Sequence, residues 1–278
     1  VLADLGEEQS GIIQLYDERR EKIVNALSLI ETDMESAFTD HQFVPYFQPK
    51  YNINTNSIIG AEALVRWKHP VHGLIPPMDF LPYLENSGII NLDFYMLEES
   101  CKFMRKHKDA TGDWITLSSN FSTKHFVHDN FCSRVIAIAD RYQIPHEYIE
   151  LEVTETMSMA DTDIVKTLFR QLYENKFLIS IDDFGSGYSS LGILESFDID
   201  ILKLDRSFMQ TNMQTKNINM IRGITEIAAN NGMKMICEGV ETKEQVEILK
   251  STKCHVVQGY YYSKPLSESD FILLLMKK

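Results

Sequence analysis

Acids and amides stand at or beside the ends of short apolar, β-branched runs in this chain. Glu62 lies within the run Ser57–Arg66, and Asn120 ends Ile115–Asn120. Glu152 lies near the end of Tyr148–Val153, with Glu155 just beyond. Asp182 ends Leu178–Asp182 and Asp183 follows at once. Lys203 sits inside Ile201–Leu204, which runs into Asp205. Glu238 ends Lys234–Glu238, with Glu241 three residues on, and Gln258 lies in His255–Gly259. Ionisable groups inside apolar strands cost free energy unless something compensates them. If the strand ends converge, these groups form one ring of oxygen ligands. Such a ring suits hard divalent cations, Mg²⁺ or Mn²⁺. Five or more carboxylates exceed what one magnesium ion usually takes from protein, so two ions are expected, roughly 3.5–4 Å apart. Histidine is absent from these strand ends except His255, at a strand start, which argues against zinc. Metal-assisted phosphoester hydrolysis is the chemistry that fits.

The elements that must position this ring alternate along the chain. The runs above, with Phe43–Gln48 before them, make eight strand candidates. A short Asn-rich turn at Asn52–Asn56 joins the first two, which suits an antiparallel hairpin. Helical stretches separate the rest, among them Asn91–His107, Asp161–Asn175, Phe208–Asn231 and Lys243–Lys250. That pattern suits parallel βα units. Eight strands with helical crossovers in about 240 residues point to an α/β fold, a (β/α)8 barrel with an irregular start. An open doubly wound sheet is the alternative, and strand counting does not separate the two. In a barrel the carboxyl ends of the strands meet on one face, where the active site lies. The apolar run Phe271–Met276 reads as a final helix on the barrel wall.

Composition sets the outer limits. The chain has 278 residues, 44% hydrophobic and 24% charged, which is ordinary for a globular protein able to bury a core without staples. Lysine and arginine number 27 against 40 acids, a formal net charge of −13. Such a surface repels DNA, RNA duplexes and anionic lipid, so a phosphate substrate needs bound cations or a local basic pocket. No apolar run near either end approaches the roughly 18 residues of a membrane span. The four cysteines form no Cys-x-x-Cys pair and read as reduced core thiols of a cytoplasmic protein.

The run Glu62-Ala63-Leu64-Val65-Arg66-Trp67 resembles the signature of the EAL domain family, bacterial phosphodiesterases for cyclic di-GMP. Phe47-Gln48-Pro49 precedes it and His69-Pro70-x-x-Gly73 follows. Asn120-Phe121-Ser122, Leu151-Glu152-Val153-Thr154-Glu155 and Asp182-Asp183-Phe184-Gly185-Ser186-Gly187-Tyr188-Ser189-Ser190-Leu191 come next. Leu202-Lys203-Leu204-Asp205, Glu238-Gly239-Val240-Glu241-Thr242 and Gln258-Gly259-Tyr260 complete the series in family order. The resemblance spans residues 40–275 or so and implies a TIM-like barrel whose first strand is antiparallel. It implies metal ligands at Glu62, Asn120, Glu152 and Asp182, with Asp183 on a second ion. Lys203 then contacts the attacking water and Glu238 serves as general base. Gln48, Leu64, Arg66, Asp205, Glu241 and Gln258 line the substrate. Glu155 anchors the loop Phe184–Ser190, which in the family links the metal site to a dimer interface. The implied product is linear pGpG. The alternative is a catalytically silent member that binds cyclic di-GMP or a protein; such members lack strand-end ligands, and here all are present.

Two further features stand outside the barrel pattern. Ile12, Tyr16, Ile23, Leu27, Ile30, Met34 and Phe38 follow three- and four-residue steps, predicting an amphipathic helix over residues 12–39. It reads as a linker or signalling helix from an upstream regulatory domain, with the barrel at 40–278. The chain opens on Val1 rather than methionine, which fits a piece of a longer protein, the whole of which membrane anchoring upstream would suit. His125, His128 and Asp129 read as a solvated helix start rather than a metal site.

Overall fold

The expected hairpin forms between β1 (Phe43–Asn52) and β2 (Ser57–His69). Asn52 Oδ1 accepts from the amides of Asn54 and Thr55 at 2.9 and 3.3 Å, an Asx turn that reverses the chain. The computed structural model describes residues 33, 36–84, 86–127, 130–155, 162–186, 190–209 and 215–277. They form two compact units. The first comprises the described residues up to Val44 together with Val65–Ile89; the second comprises Pro45–Leu64 and the residues from Ile90 on.

In the first unit, β3 (Gly73–Ile75) pairs antiparallel with the end of β2. Trp67 is fully buried, its ring 5.4 Å from Phe43 and 5.7 Å from Phe80, and its Nε1 donates to Gln42 Oε1 at 2.9 Å. His69 Nδ1 accepts from the amides of Val71 and His72, both at 3.1 Å, which shapes the turn His69–Gly73. Of the helix expected at 12–39, Asp33 and Ser36–Thr39 are described, and they are helical. The remainder of that expectation lies outside the described residues.

The second unit holds the barrel. After β2 the strands are β4 (Thr116–Asn120), β5 (Ile149–Thr154), β6 (Leu178–Phe184), β7 (Ile201–Leu204), β8 (Lys234–Cys237) and β9 (Val256–Val257). From β2 through β9 each pairs parallel with the next around the barrel. Strand β1 runs antiparallel to β9 and also pairs with β2, closing eight strands into a barrel. The open doubly wound sheet is thereby excluded.

Alternation along each strand divides the work. On β5, Ile149, Leu151 and Val153 join the apolar core beneath the helices, and Glu150 and Glu152 point to the interior. Helices Asn86–Thr111, Phe131–Arg141, Thr162–Glu174, Ser190–Ser196, Thr215–Asn230 and Lys243–Lys250 fill the crossovers. Of the stretch expected as one helix over Phe208–Asn231, Phe208 and Met209 belong to a tight turn, Arg206–Met209, and Thr215–Asn230 is helical; residues 210–214 lie outside the described residues. The final helix is Glu268–Leu275, started by Ser267, whose Oγ accepts from Asp270 N; its Phe271 stacks on Phe47 at 5.3 Å.

His125 corrects its sequence reading. It is buried among Phe94, Phe121 and Phe131, with Nε2 3.0 Å from Asp93 Oδ2. An aromatic surround and one carboxylate satisfy the ring without solvent. His128 and Asp129 lie outside the described residues. All four cysteines are free and buried, and no helix among the described residues is long and apolar enough to cross a membrane.

Candidate active site

The strand ends do converge, and Lys203 is the centre. Its Nζ lies 2.6 Å from Glu152 Oε2, 2.7 Å from Glu238 Oε1, 3.0 Å from Asp182 Oδ1 and 3.4 Å from Glu62 Oε2. Those partners come from β2, β5, β6 and the end of β8. Glu62 is held on two further sides: Asn120 Nδ2 donates to its Oε1 at 2.8 Å and Gln258 Nε2 to its Oε2 at 2.6 Å. Gln258 also donates to Gln48 Oε1 at 3.2 Å, which ties β1 to the ring.

Asp182 and Asp183 are consecutive, and a regular strand would point them to opposite faces. The β6–β7 register shifts between Ile181 and Phe184, and Asp183 adopts a left-handed φ of 55°. Irregular strands re-aim side chains in this way, and Asp tolerates that backbone better than most residues. Asp182, Asp183 and Glu238 consequently each offer a carboxylate oxygen within 4.8 Å of the others. Asp205 lies near enough to Asp183 to raise its carboxyl.

The electrostatics match the crowding. Burial, with Asp182 and Glu62 nearby, pushes Glu238 up to about 8 against the pull of Lys203. Burial and the neighbouring Asp182 and Asp205 push Asp183 up to about 6. Glu62 is raised by burial and by Glu152. Burial would raise Glu152 too, but Lys203 and Lys50 outweigh it and hold that carboxyl far below its usual range. Lys203 loses to burial and gains more from its four acids, so it stays protonated. Three carboxylates within reach of one another, two of them driven to retain protons, form an oxygen donor set that fits a hard divalent cation.

The pH consequence has a definite sign. Asp183 and Glu238 have folded values above their unfolded 3.8 and 4.5. Their contribution to stability is full below the unfolded values and is lost as pH rises through about 6 and about 8. The melting temperature in EDTA is expected to be several degrees lower at about pH 8.5 than at about pH 5.5. Mg²⁺ or Mn²⁺ is expected to raise it more at the higher pH, because loading displaces those protons. Thermal melts at both pH values, with and without metal, check this.

An open cleft of about 290 Å³ lies over the acids and is lined by Gln48, Glu62, Leu64, Asp182, Glu238, Glu241 and Gln258. These are seven of the residues singled out in the sequence. Arg206, Gly239, Gly259 and Tyr260 line it as well and were not singled out as site residues. Their signal was adjacency: each follows a candidate residue or the one after it. At Gly259 a Cβ would stand 2.2 Å from the Val240 carbonyl oxygen, so only glycine lets this loop close behind Gln258. Gln258 Oε1 is buried without a hydrogen-bond partner among the described residues, an acceptor open to a ligand. The backbone of Glu241 is fixed by Gln245, whose Oε1 accepts its amide at 2.7 Å. Arg66 belongs to the first unit, where its Nη1 donates to the Val65 carbonyl at 2.7 Å.

Glu155 is buried and its Oε2 accepts from Gly185 N at 3.0 Å, at the root of the loop that follows β6. Gly185 has φ +90°, and a Cβ there would meet the Phe208 ring at 2.6 Å. Residues 187–189 of that loop lie outside the described residues.

The EAL domain family model matches residues 31–265. This chain belongs to the EAL domain family. Among relatives, this EAL domain is 30% identical over 238 residues to the cyclic di-GMP phosphodiesterase PdeL of Escherichia coli, covering 85% of this chain and 66% of PdeL. It is 35% identical over 243 residues to the bifunctional diguanylate cyclase/cyclic di-GMP phosphodiesterase MucR of Pseudomonas aeruginosa, covering 86% of this chain and 35% of MucR. The EAL domain thus spans about a third to two thirds of the length of these curated relatives. Its fold is similar to the PaMucR phosphodiesterase in complex with c-di-GMP, with TM-score 0.81 and 33% identity over 87% of this chain and 99% of that one. It is also similar to the EAL enzyme Bd1971 bound to cAMP and cyclic di-GMP, with TM-score 0.83 and 29% identity over 99% of this chain and 77% of that one.

Proposed function

We propose that this EAL domain is a metal-dependent phosphodiesterase that hydrolyses cyclic di-GMP to linear pGpG. The observation that carries the reading is the convergence of Glu62, Glu152, Asp182 and Glu238 on one buried ammonium, Lys203, beneath an open cleft. Glu62, Asn120, Glu152, Asp182 and Asp183 would hold two Mg²⁺ or Mn²⁺ ions, which supply charge neutralisation for the phosphodiester and acidity for the attacking water.

The remaining work falls to this chain's own groups. Lys203 holds the attacking oxygen and offsets negative charge as it develops. Glu238, 2.7 Å from Lys203 and inclined to bind a proton, takes the proton from the water. A phosphorus–oxygen bond to water forms as the bond to a ribose 3′-oxygen breaks, and that oxygen leaves with a proton from solvent. Gln48 and Gln258 offer amides to the substrate, Leu64 an apolar wall, and Glu241 and Asp205 carboxylates for donor groups. Glu155 secures the loop after β6 through Gly185. Homodimerisation through that loop, a cytoplasmic setting and control by an upstream domain complete the reading for the whole protein.

The test is product analysis by anion-exchange chromatography after incubation with cyclic di-GMP in Mn²⁺, Mg²⁺ or EDTA. Linear pGpG appearing only with metal is the expected outcome. Tight binding with unchanged substrate in every condition would replace the enzyme with a receptor.

A further inference from the structure

Beneath the ring lies a second polar layer that the proposed chemistry does not use. On β1, which runs against its neighbours, Lys50 follows Gln48 by two residues and so sits one step deeper in the barrel. Ser118 and Glu150 are paired with one another, two residues before the paired Asn120 and Glu152, and share that depth. Interior layers of such barrels are commonly filled by Val, Ile and Leu. Here Lys50 Nζ donates to Ser118 Oγ at 2.8 Å, Glu150 Oε2 at 2.8 Å and Glu152 Oε1 at 2.9 Å. All three ammonium hydrogens are thereby committed.

Stability does not account for this cluster. Lys50 and Glu150 are almost wholly buried, and Glu150 Oε1 has no hydrogen-bond partner among the described residues. Buried ion clusters with an unsatisfied oxygen are no more stable than apolar packing of the same volume. Their value lies in what they hold. Glu152 is fully buried, and its two oxygens are divided: Oε1 goes to Lys50 below and Oε2 to Lys203 in the ring. The last torsion of a glutamate is broad, so a carboxylate held on one side only would turn.

We infer that Lys50 is a positioning residue for Glu152, and that Glu150 and Ser118 fix Lys50 in turn. Lys50 occupies Oε1 from below and keeps Oε2 directed at the ring. This rests on the metal-dependent reading of the site, in which Glu152 is a ligand. Partners of metal ligands set their orientation, and removing one typically costs 10–100-fold in affinity or activity.

The test measures Mn²⁺ binding by the whole chain, by calorimetry and by the EPR signal of free Mn²⁺, beside turnover as a function of Mn²⁺. Lys50→Met is expected to weaken Mn²⁺ binding about 10–100-fold. The Mn²⁺ needed for half-maximal turnover should rise by the same factor, with kcat at saturating Mn²⁺ reduced much less. Lys50→Met/Glu150→Leu removes the acid that Lys50 would leave unpaired. It is expected to recover thermal stability while Mn²⁺ binding stays weak, and it carries the test if Lys50→Met alone does not fold. Wild-type affinity in Lys50→Met overturns the inference. So does a double variant that regains affinity together with stability, because Lys50 would then only balance charge. A wild-type protein that binds no Mn²⁺ overturns the metal-dependent reading itself, whereas tight wild-type binding that Lys50→Met retains overturns this inference alone, so the two failures are distinguishable.

Discussion

Lys203→Met is expected to lose turnover roughly 10²–10³-fold and to destabilise the metal-free protein at the same time. One fully buried ammonium meets carboxylates of Glu62, Glu152, Asp182 and Glu238, all within 3.4 Å. Removing one partner of a buried ion cluster costs about 3–5 kcal/mol, because the remaining charges are left uncompensated. The pH dependence follows from the same groups. Without the ammonium, Glu62 and Glu238 rise further above their unfolded value of 4.5, and Glu152 loses one of the two lysines that hold it low. The variant's stability is retained at acidic pH, where they are protonated, and lost as pH rises through their folded values. The deficit against the wild type should be small near about pH 5 and largest near about pH 8. Saturating Mn²⁺ should restore much of the melting temperature but not the turnover, since a cation replaces the charge and not the group proposed to hold the attacking oxygen. Melts in EDTA and in Mn²⁺ at both pH values, with turnover alongside, decide the matter. A variant as stable as the wild type at the higher pH in EDTA would mean that the acids are neutralised by other means.

Glu62→Gln is expected to separate function from stability in the opposite sense. Glu62 accepts from Asn120 at 2.8 Å and from Gln258 at 2.6 Å, and it sits 3.4 Å from Lys203. Burial and Glu152 already disfavour its charge. A neutral amide of the same shape removes one buried negative charge from a crowded ring, and the exposed Asn120 amide can turn to offer Oδ1 to the new –NH₂. The metal-free melting temperature at about pH 8 should therefore hold or rise. Turnover should fall roughly 10²–10³-fold, because an amide is a poorer partner for a cation and cannot offset its charge. Comparing melts in EDTA with pGpG formation in Mn²⁺ reads both effects. Loss of activity with a parallel loss of stability would make Glu62 a structural residue instead.

Both expectations depend on groups whose importance was legible before any fold was known. Glu62, Asn120, Glu152, Asp182, Lys203, Glu238 and Gln258 declared themselves by type and position, as polar residues in runs too apolar to hold them uncompensated. The barrel followed from eight runs with helical crossovers, and β1 reversed because an Asn-rich turn allowed nothing longer. Boundaries were less legible. The strand ending near Asp182 continues to Phe184, and the segment expected as a helix from Phe208 opens on the tight turn Arg206–Met209. Tight turns that join strands to helices carry no periodic signal.

Lys50 and Glu150 were invisible in the sequence, where each looks like an ordinary polar residue on a strand. Their meaning depends on depth inside a closed barrel, and depth is set by register between strands far apart in the chain. His125 was misread for the same reason: the aromatic rings that bury it come from two other segments, around Phe94 and Phe131. The paired aspartates show the division most clearly. The sequence determined that Asp182 and Asp183 are adjacent acids; only the irregular β6–β7 register and the left-handed backbone of Asp183 brought both within reach of Glu238. Residue type and local pattern set the kinds of group this chain brings to its site. Which of them share one charge balance was decided by barrel closure, because electrostatic coupling acts across space and not along the chain.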